Sequence, residues 1–146
     1  MITAKLKTIL TASGCTLVIY EQDKLANLYT DQSGPLDVVG VIFQCNELML
    51  EVKANAILEH YNPMIIDVVQ QVKLEDGADN NEVQLQELLN ICKEIIVRLI
   101  ALAEFKTVLP VRVVKVLETK YDANVIGWSI PLDLTYLLNE KRDPCL

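Results

Sequence analysis

Aromatic residues are scarce in this 146-residue chain, which has one Trp, two Phe and five Tyr. Its core must therefore be aliphatic, and an apolar share of 51% is enough to build a real one in a single domain spanning 1–146. Glycine and proline number only five each, which argues against a disordered or loop-rich scaffold. There is a single histidine, His60. Cys15, Cys45, Cys92 and Cys145 never form a C-x-x-C pair, so neither a zinc site nor a redox motif is spelled out. A disulfide framework belongs to shorter secreted chains. No window holds the ~18 uninterrupted apolar residues of a membrane span. The segment from Met1 to Lys7 lacks the apolar run of a signal peptide, so an intracellular protein is expected. No Gly-rich phosphate loop, nucleophile elbow, H-E-x-x-H or dinucleotide fingerprint occurs, and no cofactor or metal is expected. Cations are short too. A formal net charge of −7 disfavours both sequence-independent nucleic-acid binding and an anionic membrane surface.

What the chain does have is periodicity. Ile2, Leu6, Ile9 and Leu10 share one helical face, and Ser13-Gly14 supplies a stop, so residues 2–13 predict a short amphipathic helix. Thr16 to Glu21 is β-branched and aromatic enough for a strand. Asp23 to Pro35 reads as a polar loop with Leu25, Leu28 and Tyr29 as anchors for something apolar. Val38 to Gln44 is a continuous apolar run, as in a central strand. Leu48 to Ala56 alternates with a period of two, which predicts a strand with one face on the core. Tyr61-Asn62-Pro63 is a turn signal, and Met64 to Val72 alternates again, so an antiparallel meander is the simple expectation. After the long helix, Val111 to Lys120 and Ile126 to Leu134 predict two more strands. Pro131 cannot donate to a ladder, which places the last strand at an edge or gives it a bulge. From about residue 139 the chain reads as a flexible tail.

The segment from Glu82 to Phe105 is the most informative. Leu85, Leu88, Leu89 and Cys92 fall at i, i+3, i+4 and i+7, the pattern of a helix with one face on a core, and Asp79 with Glu82 fits a capping box. From Ile95 to Ala103 apolar groups project in nearly every direction, interrupted by Arg98. A helix apolar all round must be covered all round, by a second layer or by a neighbouring subunit. Ile96 and Ile100 are expected on the core stripe, Val97 and Ala101 away from it. The order of elements, with strands segregated from helices, predicts an α+β fold: a mostly antiparallel sheet with the short N-terminal helix and the one long helix packed on it.

Three places invite chemistry, each with a plainer reading beside it. Glu75, Asp76, Asp79 and Glu82 offer oxygen ligands, but their spacing is not that of a calcium loop, and a solvated turn leading into a helix cap accounts for them. His60 could meet Asp67 or Cys45 in a shallow site, yet a strand-end or turn histidine is the better account of it. Tyr121-Asp122-Ala-Asn124 followed by Gly127-Trp128 is the third, and a lone Trp in an alternating strand reads as core ahead of an interface anchor.

The succession of an N-terminal helix, a meander, a longer helix and more strands resembles the small α+β proteins at the neck and tail of tailed bacteriophages, the tail-terminator and tail-completion proteins. The stretches Tyr121–Trp128 and Asn139–Leu146 are also similar to virion proteins of phages infecting Bacteroides-type gut bacteria. The resemblance implies a non-enzymatic, ring-forming structural subunit of the virion, assembled in the host cytoplasm. Its partners would be copies of itself and other neck or tail proteins, with DNA passing through the channel without specific binding. On that reading Val97, Ala101, Ile126, Trp128, Leu25, Leu28, Tyr29 and Arg142 are the interface candidates, and the acidic balance suits a channel along which DNA slides. Two rivals stand beside it: a small cytosolic adaptor or chaperone-like dimer, and an enzyme with a shallow site near His60.

Overall fold

The computed structural model describes residues 2–21, 37–43, 48–54, 56–72, 77–116 and 125–138. Leu25, Leu28, Tyr29, Arg142, Cys45, Cys145 and the tail from 139 lie outside the described residues. The fold is α+β, and among the described residues two helices lie on a mixed, mostly antiparallel sheet. Helix α1 is Ile2–Ser13, and α2 is Gly77–Ala101. The strands are β1 Leu17–Glu21, β2 Val39–Phe43, β3 Leu48–Lys53, β4 Ala56–Gln71, β5 Phe105–Thr107, β6 Val114–Lys115 and β7 Val125–Leu138.

Two long strands form the spine. β4 and β7 pair antiparallel over nearly their full length, from Ile57 opposite Leu138 to Gln71 opposite Val125. Because β7 fills one side of β4, the strands β2 and β3 must share the other side end to end, β2 against Ile65–Val69 and β3 against Ala56–Tyr61. β1 then adds parallel to β2. On the far side of β7 lie β5 and β6, again end to end. The arrangement is not the expected meander. Tyr61-Asn62-Pro63 is no turn but a bulge inside β4, where the register shifts between Tyr61 and Met64. The turn that does occur lies between Lys53 and Ala56, which pair with each other, and Ala54 there has a φ of 46°. It carries no glycine to announce it.

Pro131 sits well inside the spine rather than on an edge strand, opposite Ile65. Gly127 and Asp133 turn their carbonyls away from β4, accepting from Val116 and Val108. Residues of the same parity on a strand point the same way, so Pro131 directs its missing N–H into the gap between β6 and β5. Only a two-residue strand forms where ten residues from Val111 were expected to pair, and positions 117–120 lie outside the described residues.

The main core lies between the helices and one face of the sheet. Ile2, Leu6, Ile9 and Leu10 of α1 meet Leu88, Cys92, Ile95 and Leu99 of α2 over Ile42, Met64, Ile66, Val68, Ile130, Leu132 and Leu134. Fully burying each such side chain contributes about 1.5–3 kcal/mol. Gly40 lets α1 approach the sheet closely, since a Cβ there would come within 2.5 Å of Leu10. A smaller cluster of Ile19, Val39, Val41, Val69, Val116 and Val125 occupies the opposite face. Buried Gln84 ties the start of α2 to the spine, donating to Gln70 Oε1 at 2.9 Å and to the Gln71 carbonyl at 2.8 Å.

Helix α2 corrects the sequence reading at both ends. It begins at Gly77, so Asp79 falls inside the first turn rather than at the cap, and it ends at Ala101 rather than running on to Phe105. Its buried stripe is Leu88, Cys92, Ile95 and Leu99, at i, i+4, i+7 and i+11, which a straight helix keeps on one face. Ile100 is one step off that stripe and exposed, contrary to expectation, while Ile96 is half-buried against the core.

Candidate assembly interface

Edge strands normally hide or blunt themselves, and β3 does so only through the charges of Glu51 and Lys53. Among the described residues it pairs with β4 alone, and all six of its residues are exposed. Leu48, Met49, Leu50 and Val52 are apolar and between 48% and 73% exposed. The sequence predicted a half-buried strand here. Its alternation is real, but neither helix packs on this strand, so among the described residues nothing covers either face of β3. A run of large apolar side chains on an open edge is what another strand pairs with, and such patches mark interaction sites in soluble proteins.

A second apolar patch lies on the outer face of α2. Val97 is 62% exposed, Ile100, Ala101 and Leu102 join it, and Arg98 pairs with Glu94 beside it at 3.1 Å. Val97 and Ala101 therefore stand where a partner would need them. The all-round apolar half of α2 is covered on its inner side only. Ile126 and Trp128 do not join either patch. Both are half-buried against the main core, and the Trp128 indole Nε1 donates to the Leu85 carbonyl at 2.9 Å.

The polar chemistry is modest. His60 lies on the sheet face away from the helices, its Nε2 at 2.9 Å from Glu51 Oε2 and its Nδ1 at 3.0 Å from Thr135 Oγ1. The imidazole thus ties edge strand β3 to the spine. A hydroxyl, an imidazole and a carboxylate stand in line, but on an open sheet face, with Thr135 in mid-ladder between β4 and β5. Asp67 is fully buried further along β4, opposite Ser129, and does not share a site with His60. Among the described residues, no group of three or more His, Cys, Asp or Glu side chains is placed to hold a metal ion. An open pocket of about 320 Å³ opens at the Pro131 gap, lined by Pro63, Pro110, Pro131, Arg112 and Asp133 among others. Its lining brings no imidazole, hydroxyl or thiol to a substrate.

Two thiols lie in the main core. Burial pushes Cys15 and Cys92 up to about 12, and at Cys92 the neighbouring Cys15 and Asp67 add to the effect. Thiols held in that state are neutral packing groups, not nucleophiles. No helix among the described residues is long and apolar enough to cross a membrane.

Among the described residues the molecule is thus an α+β protein whose edge strand β3 and the outer face of whose long helix are exposed. Comparison with protein-family models, with curated proteins and with solved structures returned no match.

Proposed function

We propose that this chain is a non-enzymatic assembly subunit, one that builds a closed ring of identical copies as a structural protein at the neck or tail of a tailed phage. The observation that carries the reading is edge strand β3, exposed at all six residues, four of them large and apolar. A second apolar patch on the outer face of α2 supports it, as further surface for neighbouring copies to cover in a ring where each subunit touches two others. The acidic balance of the chain fits a channel past which DNA moves without adhering. In this setting the protein is assembled in the host cytoplasm and ends in the virion, against other neck or tail proteins.

Light scattering on the purified chain at several concentrations tests the reading. A species of six or more subunits, or a mass that grows with concentration, is the expected result. A stable dimer at every concentration would replace the ring with an adaptor. A stable monomer would remove self-assembly altogether.

A further inference from the structure

We infer that the free edge of β3 is covered by the opposite edge of a second copy of this chain, the segment Phe105–Val116, with Glu51 of one subunit facing Lys106 of the next. The inference rests on the ring reading above and names the two surfaces that mate.

Charge is the first reason. Between Phe105 and Val116 the chain carries Lys106, Arg112 and Lys115 and no carboxylate, although the whole protein is acidic at −7. None of these three cations forms an ion pair with any described residue. β3 itself carries Glu51 and Lys53, with Glu59 opposite Leu50 on β4. A carboxylate on one edge of the sheet and a cationic segment on the other favour head-to-tail contact, whereas Glu51 brought against its own copy gains nothing from charge.

Level and direction are the second. Met49 pairs with His60, His60 with Thr135, and Thr135 with Lys106, so β3 and β5 occupy the same height on opposite edges of the sheet. Because each neighbouring pair in that row is antiparallel, β3 and β5 run in opposite directions. A subunit added by rotation about an axis along the strands therefore brings its β5 antiparallel to β3, continuing the sheet. A slide of two residues, about 7 Å, then sets Glu51 opposite Lys106 on the face away from the helices. Such a stagger is what strands tilted to the axis of a closed sheet require.

Side-chain matching is the third. With Glu51 opposite Lys106, Met49 faces Val108 and Leu48 faces Leu109, and all four of these apolar side chains are exposed in the single subunit. The outer Glu51 oxygen meets lysine while Oε2 keeps its contact with His60.

Three full-length variants test the assignment: Glu51→Lys, Lys106→Glu and the double variant carrying both. Each single change should raise the concentration at half-assembly by about tenfold or more, through a like-charge contact. The double variant restores opposite charges with their positions exchanged and should assemble like the unmodified chain. Both sites are exposed, so the circular dichroism spectra should coincide. If the unmodified chain assembles but Lys106→Glu leaves the mass unchanged, the mate is wrong and the ring survives. A monomeric unmodified chain overturns the ring reading itself.

Discussion

Leu99 and Ile100 are adjacent on α2, chemically alike, and placed by the fold in opposite situations. Leu99 is 1% exposed in the main core, and Ile100 is 48% exposed on the outer face. Truncating Leu99 to Ala removes a fully buried isobutyl group and leaves a cavity between α2 and the sheet, which costs roughly 2–5 kcal/mol. For a domain of this size, a loss of 3 kcal/mol lowers Tm by roughly 6–12 °C. Truncating Ile100 to Ala surrenders only a half-buried side chain, and the cost stays within about 1 kcal/mol. Urea unfolding of each variant, run at a protein concentration below assembly, measures the two values on the same scale. Equal losses, or a larger loss for Ile100, would refute the placement of the stripe and with it the reading of the outer face as an open surface. The converse holds for association: Ile100→Ala should weaken assembly by more than it weakens the subunit.

The thiols give a prediction in pH. Folding raises Cys15 and Cys92 from an ordinary value near 9 to about 12, so the neutral forms are the ones the core holds. Their contribution is complete below pH ~9 and is lost as pH rises toward 12, because the unfolded chain ionises first; each thiol removes up to about 1.4 kcal/mol per pH unit in that window. Stability measured across pH 8–11 should fall accordingly, and Cys15→Ala with Cys92→Ala should flatten the slope. Trp128→Phe keeps the ring against the core but deletes the bond to the Leu85 carbonyl, and should cost about 1 kcal/mol in urea unfolding with assembly unchanged. Loss of assembly in that variant would make Trp128 an interface residue after all.

Much of the architecture was legible from local pattern. The inward face of α1, with Ile2, Leu6, Ile9 and Leu10, follows from spacing alone, and the structure buries all four. The strands near Val39, Met64 and Ile126 follow from β-branched content and alternation in the same way. What could not be read was pairing. The turn between Lys53 and Ala56 carries no Gly or Pro to mark it, and the alternation of Leu48 to Ala56 runs straight through it, so it could not be read as the link between β3 and β4. Asn62-Pro63 has that chemistry and makes a bulge instead, because β7 continues past it on the other side and holds β4 in the ladder.

The sequence by itself determined which side chains must leave water and with what period, because helix and strand geometry fix spacing residue by residue. It determined that α2 has more apolar surface than one core face can use. Only the tertiary structure decided which of that surface is left over. Leu99 is covered and Ile100 is not, and β3 alternates like a buried strand while standing open, because cover depends on how far α1 and α2 extend over a spine whose length is set by pairing between residues distant in the chain. Burial is a property of neighbours, and the neighbours of β3 are not in its own local sequence.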